Sequence, residues 1–216
     1  MYENHIKFIL DKILAIFSLI VLSPIILITA IIIKIMDPKD PILFIQERSG
    51  RNRKPFKCYK FRSMRTSAPQ NASTWELENP ENYITPFGKF IRKTSIDEIP
   101  QIYNILKGDM SFVGPRPVIL KEEKLLDLRE EYGACGVKPG ITGLAQISGR
   151  DDLPPKQKAK MDALYAKNVN FVDDIKLFLK TIPAVIFGEG VTEGKRNEED
   201  FKWKDGFSIF LFWKNV

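Results

Sequence analysis

Hydrophobic and polar positions along this chain follow several distinct patterns. Residues 13 to 33 read ILAIFSLIVLSPIILITAIII, with no charge among them. A segment apolar on every side is too hydrophobic for the surface of a soluble domain. As a straight helix it would run about 31 Å, enough to cross a hydrocarbon core. Ser23 and Pro24 stand at its midpoint. Proline removes a backbone donor and crowds the preceding turn, while a serine hydroxyl can bond the freed carbonyl. Two shapes are therefore open, a proline-kinked span and a helix-break-helix that enters one leaflet and turns back. Lys7 and Lys12 precede the segment, and Lys34 and Lys39 follow it. Farther on come Arg48, Arg51, Arg53, Lys54, Lys57, Lys60, Arg62 and Arg65, with no acid from 48 to 65. Cationic flanks at both ends favour placing both on the cytoplasmic side, whereas a kinked span is the commoner fate of such a proline. A cleaved signal peptide fits badly, since no small-residue cleavage site follows.

Beyond the apolar segment, ILFIQ and FKCYKF alternate around a turn at Ser49 to Asn52, which predicts two strands. Residues 66 to 86 contain no Lys or Arg and are rich in Asn, Pro, Ser and Thr, the composition of a loop. Their Asn71-Ala72-Ser73 matches a glycosylation acceptor only by chance if the loop is cytoplasmic. Apolar residues from Phe87 to Leu106 recur at helical spacing. Pro100 suits a first helical turn and places Asp97 and Glu98 at or just before a helix start. Gly114-Pro115-Arg116-Pro117 predicts a stiff turn that fixes Arg116. Helices are expected over 119–132, 156–168 and 173–187, with a glycine-rich loop over 138–150. The last helix carries Ile175, Phe178, Leu179, Ile182 and Ile186 on one face, a stripe suited to a core or to a bilayer surface. The expected fold class is α+β: a mostly helical, membrane-associated domain with amphipathic interfacial helices and a small β element. Residues 1–40 form the membrane segment and its flanks, 41–193 a catalytic domain and 194–216 a tail.

Composition narrows the chemistry. At 216 residues, 44% hydrophobic and 28% charged, the chain can bury a core and is not wholesale disordered. A net charge of +6 suits an anionic partner such as a nucleic acid, an anionic lipid or a phosphorylated substrate. Two cysteines, Cys58 and Cys135, and one histidine, His5, exclude a Cys/His zinc cluster and disfavour a Ser-His-Asp triad. GEGVTEGKR at 188–196 fails as a phosphate-binding P-loop, because its glycines are one residue too far apart and Arg196 stands where Ser or Thr must bind magnesium.

The acidic pair Asp97–Glu98 then stands out, because Lys60, Arg62, Arg92 and Arg116 surround it in sequence motifs of their own. Adjacent acids are often no more than exposed helix-start residues. In a basic setting, one carboxylate can attack phosphorus while the other binds a metal or handles a proton. Fixed cations make that workable by masking the repulsion between carboxylate and phosphate. A non-catalytic, membrane-anchored basic module binding anionic lipid or nucleic acid fits the same composition. So does a membrane-bound phosphatase or nucleotidase.

KFRSM, SIDEIPQIYNILKGDMSFVGPRP and KPGITGLAQISGR, in this order after a Ser-Pro-interrupted apolar segment, closely resemble the bacterial sugar transferases known as monotopic phosphoglycosyl transferases. The resemblance runs to about Phe187 and favours the minimal catalytic-core type. It implies that Asp97 attacks the β-phosphorus of a UDP-sugar, expelling UMP, and that polyprenyl phosphate then takes the phosphosugar. Glu98 and Mg²⁺ would assist, with both carboxylates as metal ligands. Lys60, Arg62, Arg92, Arg116 and Arg150 would serve phosphate and nucleotide, and Asp162, which matches a further recurrent acid, would join them in the substrate-binding set. Ser23-Pro24 would break a re-entrant helix on the cytoplasmic face of a bacterial inner membrane. Inner-leaflet lipids would be neighbours, a homodimer is compatible, and nucleic acid is not expected as a partner. One departure concerns Lys138, where many relatives carry Arg; a point charge replaces a bidentate fork there.

Overall fold

The structure, a computed structural model, describes residues 2–69, 79–149 and 153–187. The chain opens with a wider turn over Tyr2–Ile6 and continues as helix α1, Lys7–Met36. Among the described residues α1 is the one helix long and apolar enough to cross a membrane. It contains Pro24 yet stays helical throughout, so the expected break at Ser23-Pro24 is not an interruption of the helix. The reason is local. Pro24 has no N–H for the Ile20 carbonyl four residues back, and the Ser23 hydroxyl donates to that carbonyl instead, at 2.7 Å.

One stripe of α1 faces the domain. Ala15, Thr29 and Ile33 are buried, and Leu19, Leu22, Ile26 and Ala30 pack beside them. The opposite side leaves Ile13, Phe17, Ile20, Leu27 and Ile35 more than 60% exposed. Both ends of α1 engage the domain. Near its start, Lys7 contacts Asp174 and Asp11 accepts from the Phe112 amide at 3.3 Å. Near its end, Ile33 joins a cluster with Phe61 and Ile91.

The predicted hairpin is present as β1, Leu43–Ser49, and β2, Pro55–Phe61, antiparallel with Gln46 opposite Cys58. The stretch from Phe87 to Leu106 divides into α2, Pro86–Lys93, a short turn at Ile96–Glu98 and α3, Gln101–Lys107. A second sheet was not foreseen. It pairs β3, Ser111–Val113, in parallel with β4, Gly140–Thr142. The expected glycine-rich loop therefore carries β4 and a short helix α5, Leu144–Ser148. Helix α4, Glu123–Glu131, is shorter than expected, and α6, Pro155–Lys167, and α7, Phe171–Phe187, complete the order. On α7 the apolar stripe Ile175, Phe178, Leu179 and Ile182 is exposed, while Leu177 and Asp174 face inward. Cys58 is fully buried in the main core and Cys135 is half-buried, both unpaired.

Three glycines explain how β3 and β4 meet. A Cβ on Gly114 would lie 2.3 Å from the Lys138 carbonyl, one on Gly140 2.2 Å from the Gly114 nitrogen, and one on Gly143 2.2 Å from the Gly114 carbonyl. Two backbones approach there with no room for a side chain. Gly143→Ala should therefore lower folding stability by more than about 3 kcal/mol, beyond ordinary overpacking. Thermal unfolding of the detergent-solubilised protein would read this, and an unchanged midpoint would contradict it.

Candidate active site

The acidic pair is presented by a compact local device. Ser95 adopts a left-handed conformation with φ of 55°, turning the chain out of α2. The 3-10 turn Ile96–Glu98 follows, and Pro100 caps the start of α3. Ile96 and Ile99 pack against the Phe61–Ile91 cluster, which anchors the turn on both sides of the acids. Asp97 and Glu98 are accordingly 6% and 8% exposed, which excludes the reading of two solvated helix-start residues.

The two carboxylates are not equivalent. Glu98 Oε1 accepts from Lys60 Nζ at 2.7 Å and from Arg116 Nη2 at 2.9 Å. Burial alone would raise its pKa, but Arg116 and Lys60 outweigh it and hold the carboxyl well below the usual range. Among the described residues, none donates a hydrogen bond to Asp97. Burial pushes its pKa up to about 6; Lys60 opposes the shift, Glu98 adds to it, and Arg92 and Arg116 oppose it. One acid is thus locked in an ion-pair network, while its neighbour lies in the same cationic field with its oxygens available.

Lys60 reaches Glu98 because Asn104 ties α3 to β2. The fully buried Asn104 amide donates to the Lys57 carbonyl at 2.6 Å, and its oxygen accepts from the Tyr59 amide at 3.1 Å. Arg116 projects from the Pro115–Pro117 turn after β3. Arg92, in the last turn of α2, donates to Ser63 Oγ at 3.4 Å. Arg62 points elsewhere than expected. Its guanidinium donates to the carbonyls of Pro41 at 2.8 Å and Leu43 at 3.5 Å, pinning the chain where it leaves the membrane segment. Asp162, placed by the sequence reading in the substrate-binding set, lies in the interior. It is 1% exposed, accepts from Arg129 Nε at 2.8 Å and forms an ion pair with Arg129 Nη2 at 2.7 Å. Arg150 lies outside the described residues. Lys138 sits over the Phe8 ring, 4.5 Å from its centroid. Asn104, Arg48 and Arg129 were missed by sequence reasoning. A lone Asn inside the apolar stripe of "QIYNIL" was the available signal for the first.

The sequence profile of the family described as bacterial sugar transferase matches residues 2–188, and this chain belongs to that family. Three similar proteins illustrate its range. The "Exopolysaccharide production protein ExoY" of Sinorhizobium fredii is 37% identical over 194 residues, covering 83% of this chain and 85% of that protein. The "Undecaprenyl-phosphate galactose phosphotransferase" of Salmonella typhimurium is 38% identical over 204 residues, covering 87% of this chain and 42% of that protein. The "UDP-N-acetylgalactosamine-undecaprenyl-phosphate N-acetylgalactosaminephosphotransferase" of Aeromonas hydrophila is 35% identical over 188 residues, covering 84% and 44%.

The asymmetry of the pair predicts opposite outcomes for neighbouring substitutions. Glu98→Gln leaves two cations short of their partner and should destabilise the protein by at least about 2 kcal/mol at pH 8. Asp97→Asn removes a charge whose burial costs roughly 3 kcal/mol, from a pKa raised from 3.8 to about 6. Above pH 6 the folded and unfolded chains both carry that charge, and the folded one bears the full cost. Below pH 3.8 both are protonated and the cost vanishes. Asp97→Asn should thus melt at or above wild type at pH 8, with the difference closing toward pH 4. A large loss of stability at pH 8 would contradict this.

Proposed function

We propose that this chain transfers a sugar 1-phosphate from a UDP-sugar to polyprenyl phosphate by way of a phosphosugar on Asp97. The observation that carries the reading is the buried Asp97 carboxylate, with no hydrogen-bond donor among the described residues, beside a Glu98 already bound by Lys60 and Arg116. In the first step an Asp97 oxygen attacks the β-phosphorus, the bond from that phosphorus to the bridging oxygen breaks, and UMP leaves with the electron pair. In the second, a phosphate oxygen of polyprenyl phosphate attacks the same phosphorus. The acyl-phosphate bond breaks, the carboxylate returns, and polyprenyl-diphosphate-sugar departs. Each attack brings anion to anion, and Lys60, Arg92 and Arg116 supply the fixed positive charge that lowers its cost.

The donor set also suits Mg²⁺, which takes hard oxygen ligands from one or two carboxylates and completes its shell with substrate phosphates and water. Asp97 and the less engaged oxygen of Glu98 would hold it. Among the described residues no cluster of three or more His, Cys, Asp or Glu offers an all-protein cage, so diphosphate oxygens would complete the site. When bound, the ion neutralises diphosphate charge.

The same reading places the chain on the cytoplasmic face of a bacterial inner membrane, with α1 entering and leaving one leaflet. The packing of both ends of α1 against one domain supports it, since a helix ending on the far side would lose one set of contacts. The Salmonella and Aeromonas relatives are named for undecaprenyl phosphate, which we take as the acceptor here, and for galactose and N-acetylgalactosamine.

Intact-mass measurement after incubation with a panel of UDP-sugars and Mg²⁺ tests the chemistry. The expected result is a sugar-phosphate adduct with UMP release, both absent in Asp97→Asn. Full turnover by that variant would overturn the assignment. A lipid-binding module would give neither signal, and a nucleotidase would release UMP with no adduct. Because the nucleophile must be ionised, kcat/KM should fall about tenfold per pH unit below pH 6 and level off above it. For topology, single cysteines at positions 2 and 52, in a background with Cys58 and Cys135 replaced by Ser, should both be labelled from the cytoplasmic side only. Labelling from opposite sides would exclude the re-entrant arrangement.

A further inference from the structure

The Pro115–Pro117 turn that carries Arg116 is held by more than its two prolines. Four successive carbonyls each accept from a different residue, drawn from three elements: Pro115 from the Gly140 amide of β4 at 2.9 Å, Arg116 from Arg129 Nη1 of α4 at 3.0 Å, and, both from β1, Pro117 from Arg48 Nη1 at 2.7 Å and Val118 from the Ser49 amide at 2.9 Å. Two of these donors are backbone groups of neighbouring strands and need no special account. The other two are guanidinium groups, brought in from β1 and α4 to grip the peptide units immediately after the Arg116 Cα.

Arg129 divides its fork. Nε and Nη2 hold the buried Asp162, and Nη1 holds the Arg116 carbonyl. The ion pair is almost dry, with side chains 8% and 1% exposed. Arg48 likewise donates through Nη2 to Gln46 Oε1 at 2.8 Å while Nη1 takes the Pro117 carbonyl. Stability gives little reason for such groups. Burying charge costs several kcal/mol per ion, and apolar side chains of equal volume usually pack as well or better. What the guanidiniums add is direction, because a planar fork aims two sets of donors at once, which a methylene chain or an ammonium cannot do.

We propose that Arg48 and Arg129 are positioning residues for Arg116, and that Asp162 acts on the reaction through Arg129 rather than by touching substrate. Fixing the peptides that follow Arg116, between two prolines of restricted φ, sets where its guanidinium meets Glu98 and the diphosphate. This inference rests on the reading that Arg116 faces the donor's phosphates. A displacement of about 1 Å in such a group is enough to cost up to roughly a hundredfold in rate.

The test is a double-mutant cycle in UMP release, using UDP-galactose or UDP-N-acetylgalactosamine, whichever the wild-type chain turns over faster, with undecaprenyl phosphate and Mg²⁺. Arg129→Lys keeps a cation beside Asp162 but cannot reach the Arg116 carbonyl at the same time. It should melt close to wild type and lose tenfold or more in kcat, with KM for the UDP-sugar changed less than about threefold. Arg48→Lys should behave alike. In an Arg116→Ala background, Arg129→Lys should have less than a twofold further effect, because the group it positions is gone. A purely structural role predicts multiplying factors instead, and that result in an active enzyme would overturn the positioning role alone. If Arg129→Lys fails to fold, Asp162→Asn, which leaves Arg129 in place but loosens its grip, is carried through the same cycle with the same expected outcome. Absence of UMP release by the wild-type chain would overturn the underlying reading, and this inference with it.

Discussion

Two adjacent carboxylates can leave water together only where the fold supplies fixed cations against them. In this chain the compensation is uneven. Glu98 takes Lys60 and Arg116 for itself, and its charge in turn raises the cost of ionising Asp97. The second acid is buried and, among the described residues, has no hydrogen-bond donor of its own. Most of the surrounding architecture maintains this inequality. Asn104 registers the lysine strand against the helix that follows the acids, and the glycine contact of β3 with β4 sets the turn bearing Arg116.

The membrane segment belongs to the same construction. Its buried stripe packs into the core that supports β3, and Asp11 accepts from the Phe112 amide of that strand. Asp174 joins Lys7 at the start of α1 to Tyr165, and the Tyr165 hydroxyl also contacts the Val113 carbonyl at 3.0 Å, next to the turn that carries Arg116. A membrane anchor joined by a flexible tether would not need such contacts. Here the long apolar helix and the turn that carries the acidic pair pack into one body.

Much of this was legible in the chain. The charge-free run, the hairpin, the acids just before Pro100 and the turn around Arg116 follow from periodicity, turn chemistry and proline stereochemistry, all local signals. What escaped depends on groups distant in sequence. The parallel pairing of Ser111–Val113 with Gly140–Thr142 joins segments of three residues each, too short for a period. Arg129 looked like one charge among many on an amphipathic helix, and only its partnership with Asp162, 33 positions away, shows that it faces inward. Arg62 and Asp162 matched motifs by type and spacing, yet their side chains answer to backbone carbonyls and a buried guanidinium. Motif membership picked out the candidate residues but did not foretell the contacts each one makes.

The hydroxyl of Ser23 has a consequence beyond keeping α1 helical. A proline in hydrocarbon ordinarily leaves a bare acceptor, and any flexing there would uncover it to lipid. With the Ile20 oxygen already capped from within its own turn, bending at this point leaves that acceptor covered. The helix can therefore flex at Pro24 with that acceptor still satisfied, compliant without being broken.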